Sequence, residues 1–106
     1  MPKYLCLASY TAEGLKGLAK DKGSGRRTAV NKAVESIGGK VEVFYYALGN
    51  HDVILILDAP DNASGAALSV AVGASGLARV HTIPLLTVEE MDKGLAKTVS
   101  YHPPGH

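Results

Sequence analysis

The sequence predicts an α+β domain in which four short strands form one antiparallel sheet and two helices cover one of its faces. Three observations predict it. Apolar runs of strand length alternate with stretches of helical periodicity, turn or cap residues mark each junction, and 106 residues suffice for one core but not for two. The chain is therefore read as a single domain over residues 1–106.

Tyr4 to Tyr10 (YLCLASY) is a short apolar and aromatic run, which favours a strand over a helix. Thr11 can cap the stretch that follows, where Leu15, Leu18 and Ala19 recur at helical spacing until Gly23-Ser24-Gly25, which is expected to act as a flexible link. From Arg26 to Ile37 the apolar residues Ala29, Val30, Ala33, Val34 and Ile37 form one helical face, and Gly38-Gly39 supplies the stop. Val41 to Leu48 and Val53 to Leu57 are β-rich runs around the turn-like Gly49-Asn50, so they read as a hairpin.

Asp61 or Asn62 can cap a helix running to about Gly73. Its Ala63, Ala66, Ala67, Leu68, Val70, Ala71 and Val72 make it apolar around most of its circumference, so it is expected to be deeply buried. Leu77 to Leu86 fits a strand whose Pro84 belongs at an edge or a bulge. Thr87-Val88-Glu89-Glu90 has the capping-box spacing, and Val88, Met91, Leu95 and Val99 continue as one apolar stripe, predicting an extra C-terminal helix. Pro103-Pro104 keeps the tail from being helical.

The order strand, helix, strand, strand, helix, strand is met most economically by a ferredoxin-like βαββαβ sandwich, with both crossover helices on one face. The other face would then be polar and alternate with the core face. VILIL at 53–57 has no polar member, however, and in the first strand Leu5 and Leu7 oppose Tyr4, Cys6 and Ala8. Both sheet faces call for cover, and no strands remain in the chain to supply it. A second copy is the simplest cover, so a homodimer or higher homo-oligomer is expected.

Composition excludes several classes. Eleven Lys and Arg against ten Asp and Glu give a net charge of +1, so no global field points to nucleic acid or an anionic membrane. No apolar stretch approaches the roughly 18 to 20 residues needed to cross a bilayer. Cys6 is the single cysteine, and the chain opens directly into a strand pattern without the features of a signal peptide; a cytoplasmic location is the expectation.

The residues also carry a resemblance. Pro2-Lys3-Tyr4-Leu5, Ala8-Ser9-Tyr10-Thr11, the Arg26-Arg27 helix ending in Gly38-Gly39, Phe44-Tyr45-Tyr46-Ala47-Leu48-Gly49-Asn50-His51-Asp52, the run Thr82 to Met91, and Ser100-Tyr101 together resemble the GYD-domain family. Gly49-Asn50-His51-Asp52 stands where the family's Gly-Tyr-Asp signature is expected. The family is similar to the dimeric α/β-barrel superfamily, and this resemblance implies pairing of two sheets. That superfamily includes cofactor-free monooxygenases, lactone isomerases, haem enzymes and ligand-sensing domains, so fold does not select a reaction.

Candidate site residues were chosen for their chemistry. His51 and Asp52 sit at the hairpin turn, where they could form a base or hold a ligand, while Asp52 could equally bond backbone N–H groups of the turn. Arg79 and His81 share a strand face and could bind a carboxylate or an enolate-like oxygen, or be satisfied at a subunit interface. Tyr10 and Tyr46 could offer hydroxyls to a pocket between sheet and helices, or serve as amphipathic packing. Arg27, in the glycine-flanked basic segment from Lys16 to Lys32, could hold an anion at a helix start; the segment could also be a solvated basic patch.

His102, His106 and Cys6 lack the spacing of a metal site, and no nucleophile elbow accompanies a Ser-His-Asp set, so neither metal nor cofactor is predicted. Glu89 and Glu90 are accounted for by helix capping.

Three functions fit. The first is a homo-oligomeric domain binding an anionic or aromatic small molecule. The second is a cofactor-independent oxygenase or isomerase, with His81 or Asp52 as base and Arg79 or a tyrosine stabilising an oxyanion. The third is a structural accessory subunit, which predicts no enclosed pocket.

Overall fold

In the computed structural model, which describes residues 1–106, the elements run β1 (Lys3–Tyr10), α1 (Ala12–Ser36), β2 (Lys40–Tyr46), β3 (Val53–Asp58), α2 (Asn62–Ala74), β4 (Ala78–Leu85) and α3 (Val88–Leu95). All strand pairs are antiparallel, in the order β2-β3-β1-β4, so the chain has the expected α+β ferredoxin-like sandwich with an added C-terminal helix. β4 is an edge strand, which accommodates Pro84 as expected.

Strand alternation sorts the side chains. Tyr4 and Cys6 of β1 and Val53, Leu55 and Leu57 of β3 are buried under the helices, joined in one core by Val34 of α1 and Ala59. Tyr4 is 1% exposed, and its hydroxyl donates to Asn62 Oδ1 at 2.6 Å, tying β1 to the start of α2. Leu5, Leu7, Ile54 and Ile56 point the other way and are only half-buried. Cross-strand registry places Leu5 beside Ile56 and Ile83, and Leu7 beside Ile54 and His81, making the free face a continuous apolar band. Lys3 sits at one end of that band, bridging Glu42 at 2.6 Å and Asp58 at 2.8 Å across three strands.

Two expectations are corrected. Gly23-Ser24-Gly25 is helical and not itself the link: the expected break between two helical stretches falls one residue earlier, at Lys22 (φ 66, ψ 169), and Thr28 Oγ1 donates to the Ser24 carbonyl four residues back, inside the second stretch. A single residue leaving helical dihedrals is enough to redirect the axis, so the glycines need not unwind. The second correction concerns α2, where Gly65 is the one buried residue and Val70 is 68% exposed. α2 rests on the sheet through one side only, near Leu68, Ser69 and Val72, and its apolar circumference arises from small alanines that cost little to leave in water.

The caps behave as their residues predict. Thr11 and Asp61 accept from the amides of Gly14 and Ser64, and Thr87 with Glu90 closes the capping box of α3. Gly38 (φ 82) turns the chain out of α1. α3 has no buried residue, and every residue from Leu86 to His106 is exposed.

Candidate functional site

Between the helix face of the sheet and the two long helices lies a cavity of ≈ 260 Å³. Its walls are mostly aliphatic, with Val53, Leu55 and Leu57 as the floor and Val34, Leu68 and Val72 among the residues above. Such an interior excludes water from any polar group that is not already bonded, so the few polar residues of the lining decide what it can hold.

Most of those polar groups are committed to one another. Ser69 Oγ donates to the Gly65 carbonyl at 2.9 Å, which uses its only proton. Its contact with Thr82 Oγ1 must then be a bond donated by Thr82, and this leaves the Cys6 thiol, 3.8 Å from Thr82 Oγ1, as the last donor of the chain. Burial pushes the Cys6 thiol up from its ordinary pKa, with the Thr82 bond opposing it, so the sulfur stays protonated at neutral pH. Ser75 is also satisfied, donating to the Val72 carbonyl at 2.6 Å and accepting from the Leu77 amide at 3.2 Å.

The two remaining polar residues of the lining are Tyr10, at the end of β1, and Arg26, just past the kink of α1. Arg26 is 35% exposed and meets Asp21 only at 3.6 Å. Tyr46 stands beside them: burial and Tyr10 push its hydroxyl up, while Arg26 and Arg27 pull it down. Its hydroxyl donates to the Gly23 carbonyl at 2.8 Å, pinning β2 to the kink. Arg27 does not line the cavity but a shallower depression beside it, with Gly23, Ser24, Phe44, Tyr45 and Tyr46.

The other candidate residues are elsewhere. The Asp52 carboxylate accepts the Tyr10 amide at 2.8 Å, and the Asp52 amide and carbonyl bond Ala8 and Ala47, so this residue is built into the turn between β2 and β3. His81 and Arg79 project from β4 onto the free face and are exposed. His51 joins them there, its ring 6.0 Å from that of His81 at 73°, and its Nδ1 is buried without a partner. The fold thus brings Tyr10 and Tyr46 together on the helix side and His51, His81 and Arg79 together on the opposite side. Cys6, Ser69 and Thr82 were not singled out as site residues from sequence. Arg26 was legible as the neighbour of Arg27, since one residue along a helix turns the side chain by about 100°.

No helix is long and apolar enough to cross a membrane. Searches of curated proteins and of solved structures return no match. Comparison with protein families matches residues 4–95 to the GYD domain, which spans all four strands, both crossover helices and every residue lining the cavity. The chain therefore belongs to the GYD domain family.

Proposed function

We propose that this chain is a homo-oligomeric small-molecule-binding domain, taking a small apolar ligand on the helix face of its sheet and a second copy of itself on the other. The observation that carries the ligand reading is the ≈ 260 Å³ aliphatic cavity. A cavity of about 150 Å³ lined by Leu, Ile and Phe is enough to take up benzene. The volume here suits one substituted ring or a short branched chain. A purely structural subunit would have no use for such a space. The oxygenase or isomerase alternative needs its base and its oxyanion donor at one pocket, whereas His81 lies across the sheet from Tyr10 and the group of His51, His81 and Arg79 on the free face is outside the cavity.

Surface area supports the second copy. A folded monomer of this mass exposes about 5,600 Å², whereas this chain exposes 7446 Å². The excess, about 1,800 Å², is of the size that one partner buries in a permanent interface. The apolar band on the free face and the exposed Val88, Met91, Leu95, Val99 and Tyr101 are the residues available to fill it. Packing a second copy there closes the assembly by symmetry instead of leaving an adhesive sheet.

The test is thermal unfolding with neutral ring compounds such as benzyl alcohol and cyclohexanol. The wild-type protein is expected to gain stability with ligand concentration, and a Val72→Phe variant, shown folded by circular dichroism, to lose that response. No response in either protein, or an undiminished one in Val72→Phe, would overturn the ligand reading.

A further inference from the structure

We infer that the cavity selects small monocarboxylates: an apolar body of about one ring lies against the aliphatic walls, and the carboxylate is held at the mouth by the Arg26 guanidinium and the Tyr10 hydroxyl. This rests on the ligand-binding reading above and adds the chemical class of the ligand. The deep polar groups are closed among themselves, Thr82 donating to Ser69, Ser69 to Gly65, and Cys6 to Thr82, so a ligand's inner end finds nothing that would reward a polar atom. Cys6 and Tyr10 are four residues apart on one strand, so about 13 Å separates that closed cluster from the tyrosine at the end of β1. One polar end and one apolar end are thus built into the site.

The polar end is cationic. Arg26 has five N–H donors, and its nearest acidic partner, Asp21, is at 3.6 Å, beyond hydrogen-bonding distance. By contrast, Lys3 on the free face holds carboxylates at 2.6 Å and 2.8 Å. The Tyr46 hydroxyl, the other phenol nearby, is engaged by the Gly23 carbonyl, whereas the Tyr10 hydroxyl makes no bond within the chain and lies close enough to Tyr46 to raise its pKa. A planar carboxylate matches the guanidinium fork with two N–H bonds and has a lone pair left for the phenol. A dicarboxylate would have to bury its second charge against leucine and valine, which excludes it.

Calorimetric titration with benzoate and its neutral isostere benzamide tests this. Wild-type protein is expected to bind benzoate at least about tenfold more tightly than benzamide, the discrimination typical of a charge-assisted pair. Arg26→Gln should erase the preference, Tyr10→Phe should reduce it, and Arg27→Gln should retain it. Equal binding of the two compounds by wild type, or a preference that survives Arg26→Gln or disappears in Arg27→Gln, would overturn the monocarboxylate assignment and leave the cavity reading standing. Binding of neither compound would overturn both.

Discussion

Asp52 illustrates how a residue with catalytic chemistry can be consumed by architecture. Its carboxylate takes the Tyr10 amide at 2.8 Å and its own backbone closes the β2–β3 turn, so Asp52→Ala leaves a part-buried amide unpaired beside the cavity mouth. Urea unfolding is expected to show a loss of about 1.5–3 kcal/mol, the usual worth of a hydrogen bond to a charged group. This outcome was legible in the sequence, because Asp in the hairpin turn Gly49-Asn50-His51-Asp52 is a residue type that bonds backbone N–H groups. The Cys6, Thr82 and Ser69 chain was not legible, since it joins positions 76 and 13 residues apart that come together only when β4 is paired to β1 and α2 lies over them. The cavity's polarity depends on that chain: had Thr82 been unpaired, the inner end would have demanded a polar ligand.

A helix cap and a cross-strand ion pair carry the acid sensitivity. The Ser64 amide holds the Asp61 carboxyl below the ordinary carboxylate range, and Lys3 does the same for Asp58. A carboxyl whose pKa is lowered by folding contributes stability above its unfolded pKa and loses it as pH falls through the folded value. The urea midpoint should therefore decline below about pH 4. Asp61→Asn and Asp58→Asn are expected to flatten that decline, and a decline unchanged in both variants would contradict the assignment. Lys3 works in the opposite direction: its raised pKa contributes stability below the unfolded value that is lost only at strongly alkaline pH. Thr11→Ala removes the acceptor for the Gly14 amide and the link to the Gly76 and Leu77 carbonyls, and should cost about 1 kcal/mol in the same assay. Element identities followed from periodicity and caps. The break in α1 was legible to within a residue, at Gly23-Ser24-Gly25, whereas the exposure of α2 was not, because it is fixed by how the helix lies on the sheet and not by its own residues.

At the scale of the whole molecule, one sheet serves two purposes. The face under the helices forms the floor of the cavity, and the other is an apolar band that no part of the chain covers. The radius of gyration is 16.9 Å, against about 13 Å for a compact domain of this length, and the exposed arm from Leu86 onward extends the chain beyond the sandwich. Uninterrupted VILIL made the second apolar face visible in the sequence, whereas the exposed arm from Leu86 onward emerged only with the structure. Ile54→Lys places a charge at the centre of the band, half-buried but outside the core, and on the proposed assembly is expected to separate the two copies without unfolding the chain, as read by scattering mass together with circular dichroism. Sedimentation equilibrium of the wild-type protein at micromolar concentration tests the assembly most directly. A single species at two or more times 11.0 kDa is expected, and a stable monomer of 11.0 kDa would contradict it.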